Sequence, residues 1–184
     1  IGPMCTIADL YSLAAQRGFP GGSLLQTSCE AFLASFKVWN AATVGGNICM
    51  SLPAGPMITL TVALEASYIL WGADGSERTV DATDFVTGNH QNILRRGEVM
   101  RSIHIPSHAL RKRHTHRRFA LTRMGRSTIF VIATQSPGTD DLLLTVTAGT
   151  TRPIRLAFDS LPSEVELRDH IDSISDDLWF DDPN

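Results

Sequence analysis

The chain has 184 residues, of which 43% are hydrophobic and 19% charged, and its formal net charge at pH 7 is −3. That is the make-up of a globular protein with a real buried core, and it excludes a disordered polyelectrolyte. It also gives no global pull toward nucleic acid or an anionic membrane. No apolar run is long enough to cross a bilayer, and the first residues lack the basic and apolar regions of a secretory signal. The expectation is therefore no membrane insertion and a cytoplasmic location.

In chain order, Ile1-Gly2-Pro3 reads as a strand end or turn. Thr6 is a predicted N-cap, with Asp9 in the first turn and Ile7, Leu10, Leu13 and Ala14 at helical spacing. Gly18 and Pro20 end that helix, and Gly21-Gly22 turns the chain. Ser23 is expected to cap a second helix whose apolar face runs Leu24, Leu25, Cys29, Phe32, Leu33, Phe36. The stretch from Asn40 to Pro56 is rich in glycine, proline and small residues and reads as loop. Leu60 to Ala66 is a short helical or buried stretch. Tyr68 to Trp71 and Glu77 to Val80 flank Gly72-Ala73-Asp74-Gly75, a hairpin signal. Val99 to Ile105 alternates with period two, Arg101 being the misfit among Val99, Ile103 and Ile105, and Pro106 ends it.

The basic stretch Arg111 to Arg118 is the natural boundary. Beyond it, Ile129 to Ala133, Leu142 to Ala148 and Ile154 to Phe158 read as strands, with a turn at Pro137 to Asp141. Ser163 caps a helix with Glu166 in the capping-box position, and the acidic end from Asp176 to Asn184 reads as loop. There is no internal repeat. The mixture is α+β, with antiparallel hairpins rather than β-α-β alternation.

Three cysteines, Cys5, Cys29 and Cys49, form no C-x-x-C pair. An odd number argues against a disulfide framework, and three cannot supply the four thiolates of an iron–sulfur cluster, so free thiols are expected. His104, His108, His114 and His116 have no acidic neighbour in sequence, which disfavours a metal site. The Arg111 to Arg118 stretch has no aromatic residue to stack bases and reads as a solvated linker or subunit contact rather than a nucleic-acid site. Asp140-Asp141 is turn chemistry. No Ser-His-Asp or Cys-His arrangement stands out, and no residue is assigned a catalytic role.

The segment Asn40-Ala41-Ala42-Thr43-Val44-Gly45-Gly46-Asn47-Ile48 carries the strongest signal. Adjacent glycines let main-chain N–H groups approach a phosphate without a Cβ in the way, while Thr43 and Asn47 can add side-chain hydrogen bonds. An isolated Gly-Gly is ordinarily only a turn; here the context adds weight. Pro53 follows, then Ala63-Leu64-Glu65-Ala66, Asp84-Phe85-Val86-Thr87-Gly88, Leu94, Gly97-Glu98-Val99 and Ile103-His104-Ile105-Pro106. In this order the chain resembles the flavin domain of the xanthine dehydrogenase and carbon monoxide dehydrogenase group. The pattern there runs N-x-A-T-[IV]-G-G-N, a proline, A-L-x-A, D-F-x-x-G, L-x-x-x-E and I-x-I-P. Its opening I-G-A-x-T-T-x-x-L corresponds to Ile1 through Leu10. The resemblance covers residues 1 to 106 well and continues more weakly from Phe119 through Arg123 to Phe158.

The resemblance implies the second subdomain of a two-part FAD-binding fold (1–106), a basic linker (107–118) and a small, incomplete C-terminal α+β domain (119–184). It implies that Thr43, Val44, Gly45, Gly46 and Asn47 lie along the FAD pyrophosphate, and that Leu94 packs near the flavin. Gly46 is expected to be the least replaceable, with positive φ. The implied role is electron transfer in a molybdenum hydroxylase or dehydrogenase. Substrate is oxidised at a molybdenum–pterin centre, and electrons pass through [2Fe–2S] clusters to FAD and on to an acceptor. The molybdopterin-binding and iron–sulfur subunits are then partners, and the chain is inactive alone. The sequence departs from the pattern at Pro56, where relatives place an aspartate that helps hold FAD, and in lacking the glycine-rich loop that precedes I-G-A and the family's terminal helices. These departures predict weak or absent FAD binding by the chain alone. They also leave one alternative, a non-catalytic interaction module that has lost FAD, and the Arg111 to Arg118 stretch leaves a second, a nucleic-acid-associated protein.

Overall fold

A computed structural model of the chain describes residues 1–122 and 125–180. Arg123 and the last four residues of the acidic tail lie outside the described residues. The first half is built on short helices. Helix α1 (Ile7–Ala14) is closed by a full capping box, Thr6 accepting from the Asp9 amide and Asp9 from the Thr6 amide, and it buries Ile7, Leu10 and Ala14. Helix α2 (Gly22–Ala31) is capped by Gly21 at φ 69 rather than by Ser23. A left-handed Gly21 lets the chain turn directly from Phe19 into the helix, and the Ser23 hydroxyl is free to meet His114 at 2.9 Å. The expected apolar face holds for Leu24, Leu25 and Cys29 and then stops: the helix ends at Ala31, and Phe36 is 73% exposed on a separate turn, α3 (Phe36–Trp39).

The glycine- and proline-rich stretch is not loop throughout. It contains α4 (Val44–Met50) and runs into α5 (Pro56–Ala63). Every residue of α5 is buried. Its two threonines are satisfied, Thr61 at 2.7 Å from the Met57 carbonyl and 2.6 Å from the Tyr68 hydroxyl, and Thr59 at 2.6 Å from Thr147. A polar residue inside a core is tolerated on those terms.

Strands β1 (Ser67–Trp71) and β2 (Glu77–Asp81) form the expected hairpin, with Gly75 at φ 82 in the turn. A short helix, α6 (Ala82–Phe85), leads to a small ribbon of β3 (Val86–Gly88) and β4 (Gln91–Asn92). β5 (Val99–His104) completes a three-stranded sheet in the order β2-β1-β5. The Arg101 misfit has a structural cause. Leu70 pairs with Met100 and Ile69 with Ser102, so Arg101 is skipped by a bulge. The extra residue lets both Met100 and Ile103 point inward, and it sends the Arg101 guanidinium outward over the Trp71 ring, 4.8 Å from its centroid.

The basic linker expected over 107–118 is a correction. After a 3-10 turn at Ala109–Arg111, residues Arg113–Phe119 form strand β6, paired over its whole length with β7 (Ile129–Gln135). Alternation explains it: His114, His116 and Arg118 are half-buried while Arg113, Thr115 and Arg117 face solvent. Long basic stems suit an edge strand. β8 (Leu142–Thr147) and β9 (Ile154–Phe158) extend the sheet in the order β6-β7-β8-β9, and α7 (Glu164–Asp172) follows, capped by Ser163. α5 packs on β7 and β8, so Phe130 and Ile132 belong to the same core as Ile7, Met57 and Tyr68. The architecture is α+β, as the sequence implies.

Candidate functional site

Thr43 stands at the head of α4, held there by the chain's first residues. The Ile7 amide donates to the Ala42 carbonyl, and the Val44 and Gly45 amides donate to the Cys5 and Pro3 carbonyls at 2.9 Å. Thr43 Oγ1 caps the helix by accepting from the Gly46 amide at 3.0 Å, and the Asn47 amide donates to the Thr43 carbonyl. All four amides from Val44 to Asn47 are therefore committed within the protein. The sequence reading, in which main-chain N–H groups of the glycine pair turn toward a phosphate, is not what the backbone does.

What remains available is side-chain chemistry. Asn47 Oδ1 accepts from the Met57 amide at 3.1 Å and so helps cap α5, while its Nδ2 has no partner among the described residues. The Thr43 hydroxyl accepts from Gly46 and keeps its own hydrogen to donate. The two glycines divide the work. Gly45 is buried, and a Cβ there would come within 2.5 Å of Pro3 Cβ and 2.8 Å of the Pro3 carbonyl oxygen. Gly46 is exposed, and a Cβ would approach only Thr43 Oγ1, at 2.9 Å. Gly46 is absent from the positive-φ residues, so the expectation of a left-handed Gly46 is corrected, and the tightest packing lies at Gly45.

A groove of about 780 Å³ opens beside this helix. Asn47, Pro56, His90, Thr122, Arg126 and Phe180 are among the residues that line it. Pro56 takes the first position of α5, where a missing N–H costs nothing. Pro56 thus sits on the same groove as Asn47. Thr43, Gly46 and Leu94 do not line it.

Leu94 is half-buried against the core. It is tied to the far end of α4 through Asn92, which sequence reasoning missed. Asn92 Nδ2 donates to the Cys49 carbonyl at 2.9 Å and to Ser51 Oγ at 3.0 Å, and its Oδ1 accepts from the Leu94 amide. Nothing in the sequence marks Asn92, because the Cys49 and Ser51 it ties down lie more than forty positions away. Glu98 was visible only as the last letter of L-x-x-x-E. Its carboxylate takes a two-pronged contact from Arg78 at 2.8 and 2.7 Å and the Arg95 amide at 2.8 Å, while Arg78 also donates to the Ile93 carbonyl. These bonds hold the Glu98 carboxyl down to about 2. Glu98 therefore fixes the 93–98 loop that carries Leu94.

Burial pushes the Cys49 and Cys29 thiols up, Cys29 to about 12, which keeps both protonated. All three cysteines are free, and among the described residues no group of His, Cys, Asp or Glu could hold a metal ion. No helix of the described residues is long and apolar enough to cross a membrane.

The comparisons with known proteins bear on this geometry. Residues 1–108 match the family described as the FAD binding domain in molybdopterin dehydrogenase. The chain belongs to this family. It is 36% identical over 110 residues to the carbon monoxide dehydrogenase medium chain of Hydrogenophaga pseudoflava, a match covering 59% of this chain and 37% of that one. It is 33% identical over 86 residues to the xanthine dehydrogenase of Oryza sativa subsp. japonica, covering 44% of this chain and 6% of that protein. Among solved structures, a carbon monoxide dehydrogenase from Hydrogenophaga pseudoflava superposes with a TM-score of 0.73 at 26% identity, covering 84% of this chain and 54% of that one. Quinoline 2-oxidoreductase from Pseudomonas putida 86 shares the fold, with a TM-score of 0.71 at 21% identity. The chain thus spans little more than a third of the medium chain it matches, and about half of each of these solved chains.

Proposed function

We propose that the chain is the FAD-binding electron-transfer component of a molybdenum-dependent hydroxylase or dehydrogenase, and that α4 carries the FAD pyrophosphate on side-chain donors. The observation that carries this reading is the pair of open donors at the head of α4, the Asn47 amide nitrogen and the Thr43 hydroxyl, in a segment whose own amides are all committed. Donors with no protein partner, next to an exposed glycine, suit the approach of an anionic group. Bound FAD would supply the one- and two-electron chemistry linking the iron–sulfur clusters of a partner subunit to a final acceptor.

The chain's own residues then have separate duties. Thr43 and Asn47 donate to pyrophosphate oxygens. Gly46 leaves room for their approach. Val44 and Gly45 hold the helix head against Cys5 and Pro3 without touching the ligand. Leu94, fixed by Asn92 and Glu98, offers apolar contact to the flavin. No general acid or base is required, so substrate oxidation falls to molybdopterin-binding and iron–sulfur partners, and the chain is inactive alone. In this reading residues 1–106 form the flavin-binding part and 119–184 the second part, in a cytoplasmic complex.

Asn47→Asp separates ligand binding from folding. Aspartate keeps the oxygen that accepts from Met57, but it loses the amide donor and sets a negative charge against the pyrophosphate. The protein purified from its native cell should carry flavin, and the Asp variant should lose at least about tenfold in FAD affinity, the weight of one charge-assisted hydrogen bond. Its melting temperature should stay within a few degrees of the parent's. Full flavin content in the variant would remove Asn47 from the site. A flavin-free, metal-free protein from the native cell would remove the function.

A further inference from the structure

The net charge of −3 conceals a segregation of charge along the chain. Between Arg95 and Arg118 lie eight of the sixteen lysines and arginines, with Glu98 the single acid. Most of those with mapped contacts have structural employment. Lys112 pairs with Glu65, Arg118 binds Ser127 and the Gly125 carbonyl, and Arg101 lies over Trp71. On β6 two do not. Arg113 has no side-chain hydrogen bond or ion pair among the described residues. Arg117 reaches only the carbonyl of its neighbour His116, at 2.9 Å.

Arg113 and Arg117 share one face of β6 with Thr115 and Phe119, and all four are exposed, Phe119 at 63%. The two guanidinium-bearing positions are four residues apart, about 13 Å along a strand. Among the described residues β6 is also the end strand of its sheet, hydrogen-bonded to β7 and to no other strand. An edge strand with unpaired backbone groups is a template for another strand unless something blunts it.

We propose that β6 is a docking edge for an extended acidic segment of a partner protein, which adds as a fifth strand and sets carboxylates against Arg113 and Arg117. The charge pattern selects the occupant. A second copy pairing β6 with β6 would place two arginine rows side by side, so the charges exclude self-association through this edge. A nucleic acid could meet the charges, but its backbone has no alternating N–H and C=O groups to match the edge, and the chain as a whole is acidic. A peptide strand with carboxylates four positions apart meets both requirements, main-chain bonds supplying affinity and alternate side chains specificity. The inference holds whether or not FAD is bound.

The test uses the whole chain and a labelled synthetic peptide: two glutamates four positions apart, an isoleucine placed to meet Phe119, and threonine elsewhere. Fluorescence anisotropy should show saturable binding that weakens as salt rises. Arg113→Glu with Arg117→Glu should weaken it at least about tenfold, and the double Gln variant by less, since charges at a rim act by sign and number. Both positions are exposed, so the melting curve should not move; should the Glu pair fail to fold, the Gln pair decides the charge arm. The same peptide N-methylated at alternate residues keeps its charge and loses the strand-forming N–H groups, so it should bind at least about tenfold more weakly. Undiminished binding by the methylated peptide overturns strand addition. Undiminished binding by the variants, or no binding by the parent chain, overturns the docking edge. Oligothymidylate of equal charge binding as tightly as the peptide reassigns the surface to nucleic acid.

Discussion

The region around α4 and the four-stranded sheet are held together in different ways. Near α4 the chain is closed by single side chains that each tie two distant segments: Asn47 to Met57, Asn92 to Cys49 and Ser51, Glu98 to Arg78 and Arg95. In the sheet the work is shared. β6, β7, β8 and β9 run in unbroken antiparallel register, with Phe130, Ile132 and Leu143 turned inward. Side-chain cross-links from it to the rest of the chain are present too, Thr147 to Thr59, His114 to Ser23 and Arg155 to Thr83, but they add to a ladder that is already continuous. A region closed by single bonds admits few substitutes at each position, whereas a ladder accepts any residue of the right period. Substitutions should therefore hurt the sheet through lost volume and the α4 region through lost geometry.

The largest effect should come from volume. Phe130 is 2% exposed and belongs to the core shared with the helices. Phe130→Ala should cost about 3–5 kcal/mol. Because the core is common, chemical unfolding should remain one transition, with circular dichroism and tryptophan fluorescence superimposing. Two separated transitions would mean that the halves are held independently and that the shared core contributes little.

The second test sets two neighbouring glycines against each other. Gly45→Ala drives a Cβ into Pro3 backbone and ring atoms at 2.5–2.9 Å, and none of these is the end of a flexible side chain. Overpacking of this kind should cost about 1–3 kcal/mol. Gly46→Ala meets only a threonine hydroxyl and gains helix propensity, so its change should stay within about 1 kcal/mol. Urea midpoints rank the pair, and the reverse order would show that the helix head is not pinned by Pro3.

This contrast also marks what a reader of the sequence could see. Thr6, Ser163 and the Gly72–Gly75 hairpin were legible because capping and turn chemistry are local. The membership was legible because two of the residues that close the α4 region, Asn47 and Glu98, are also letters of the motifs. What each letter does was not legible. Gly45 serves Pro3 from more than forty positions away, and Asn47 divides one amide between α5 and open space. β6 was hidden for another reason. Its basic residues look like a solvated linker until β7 supplies the partner that makes their alternation meaningful. Arg101 looked like an error of period because a bulge cannot be read from one strand alone.

The smallest effect is the most local and concerns acid. Glu98 has its carboxyl held down to about 2 by Arg78 and the Arg95 amide. An unfolded glutamate titrates near about 4.3, so folding favours the ionised form. The stabilisation is thus present in full above the unfolded value, and it fades as pH falls from about 4.3 through about 2. What should loosen in that window is the 93–98 loop, since its anchor is one carboxylate. The Arg95 amide donates to Glu98 Oε2 and so reports the anchor directly. Its hydrogen-exchange protection, corrected for intrinsic rate, should be level down to about pH 4.3 and then fall. Amides of β7, which the ladder protects without any carboxylate, should show no such step. In Glu98→Gln the Arg95 protection should be low at every pH and the step should vanish. Protection that stays level to about pH 2 in the parent, or that survives in the Gln variant, would mean the loop is held by its backbone, as the sheet is, and not by the one side chain that distinguishes it.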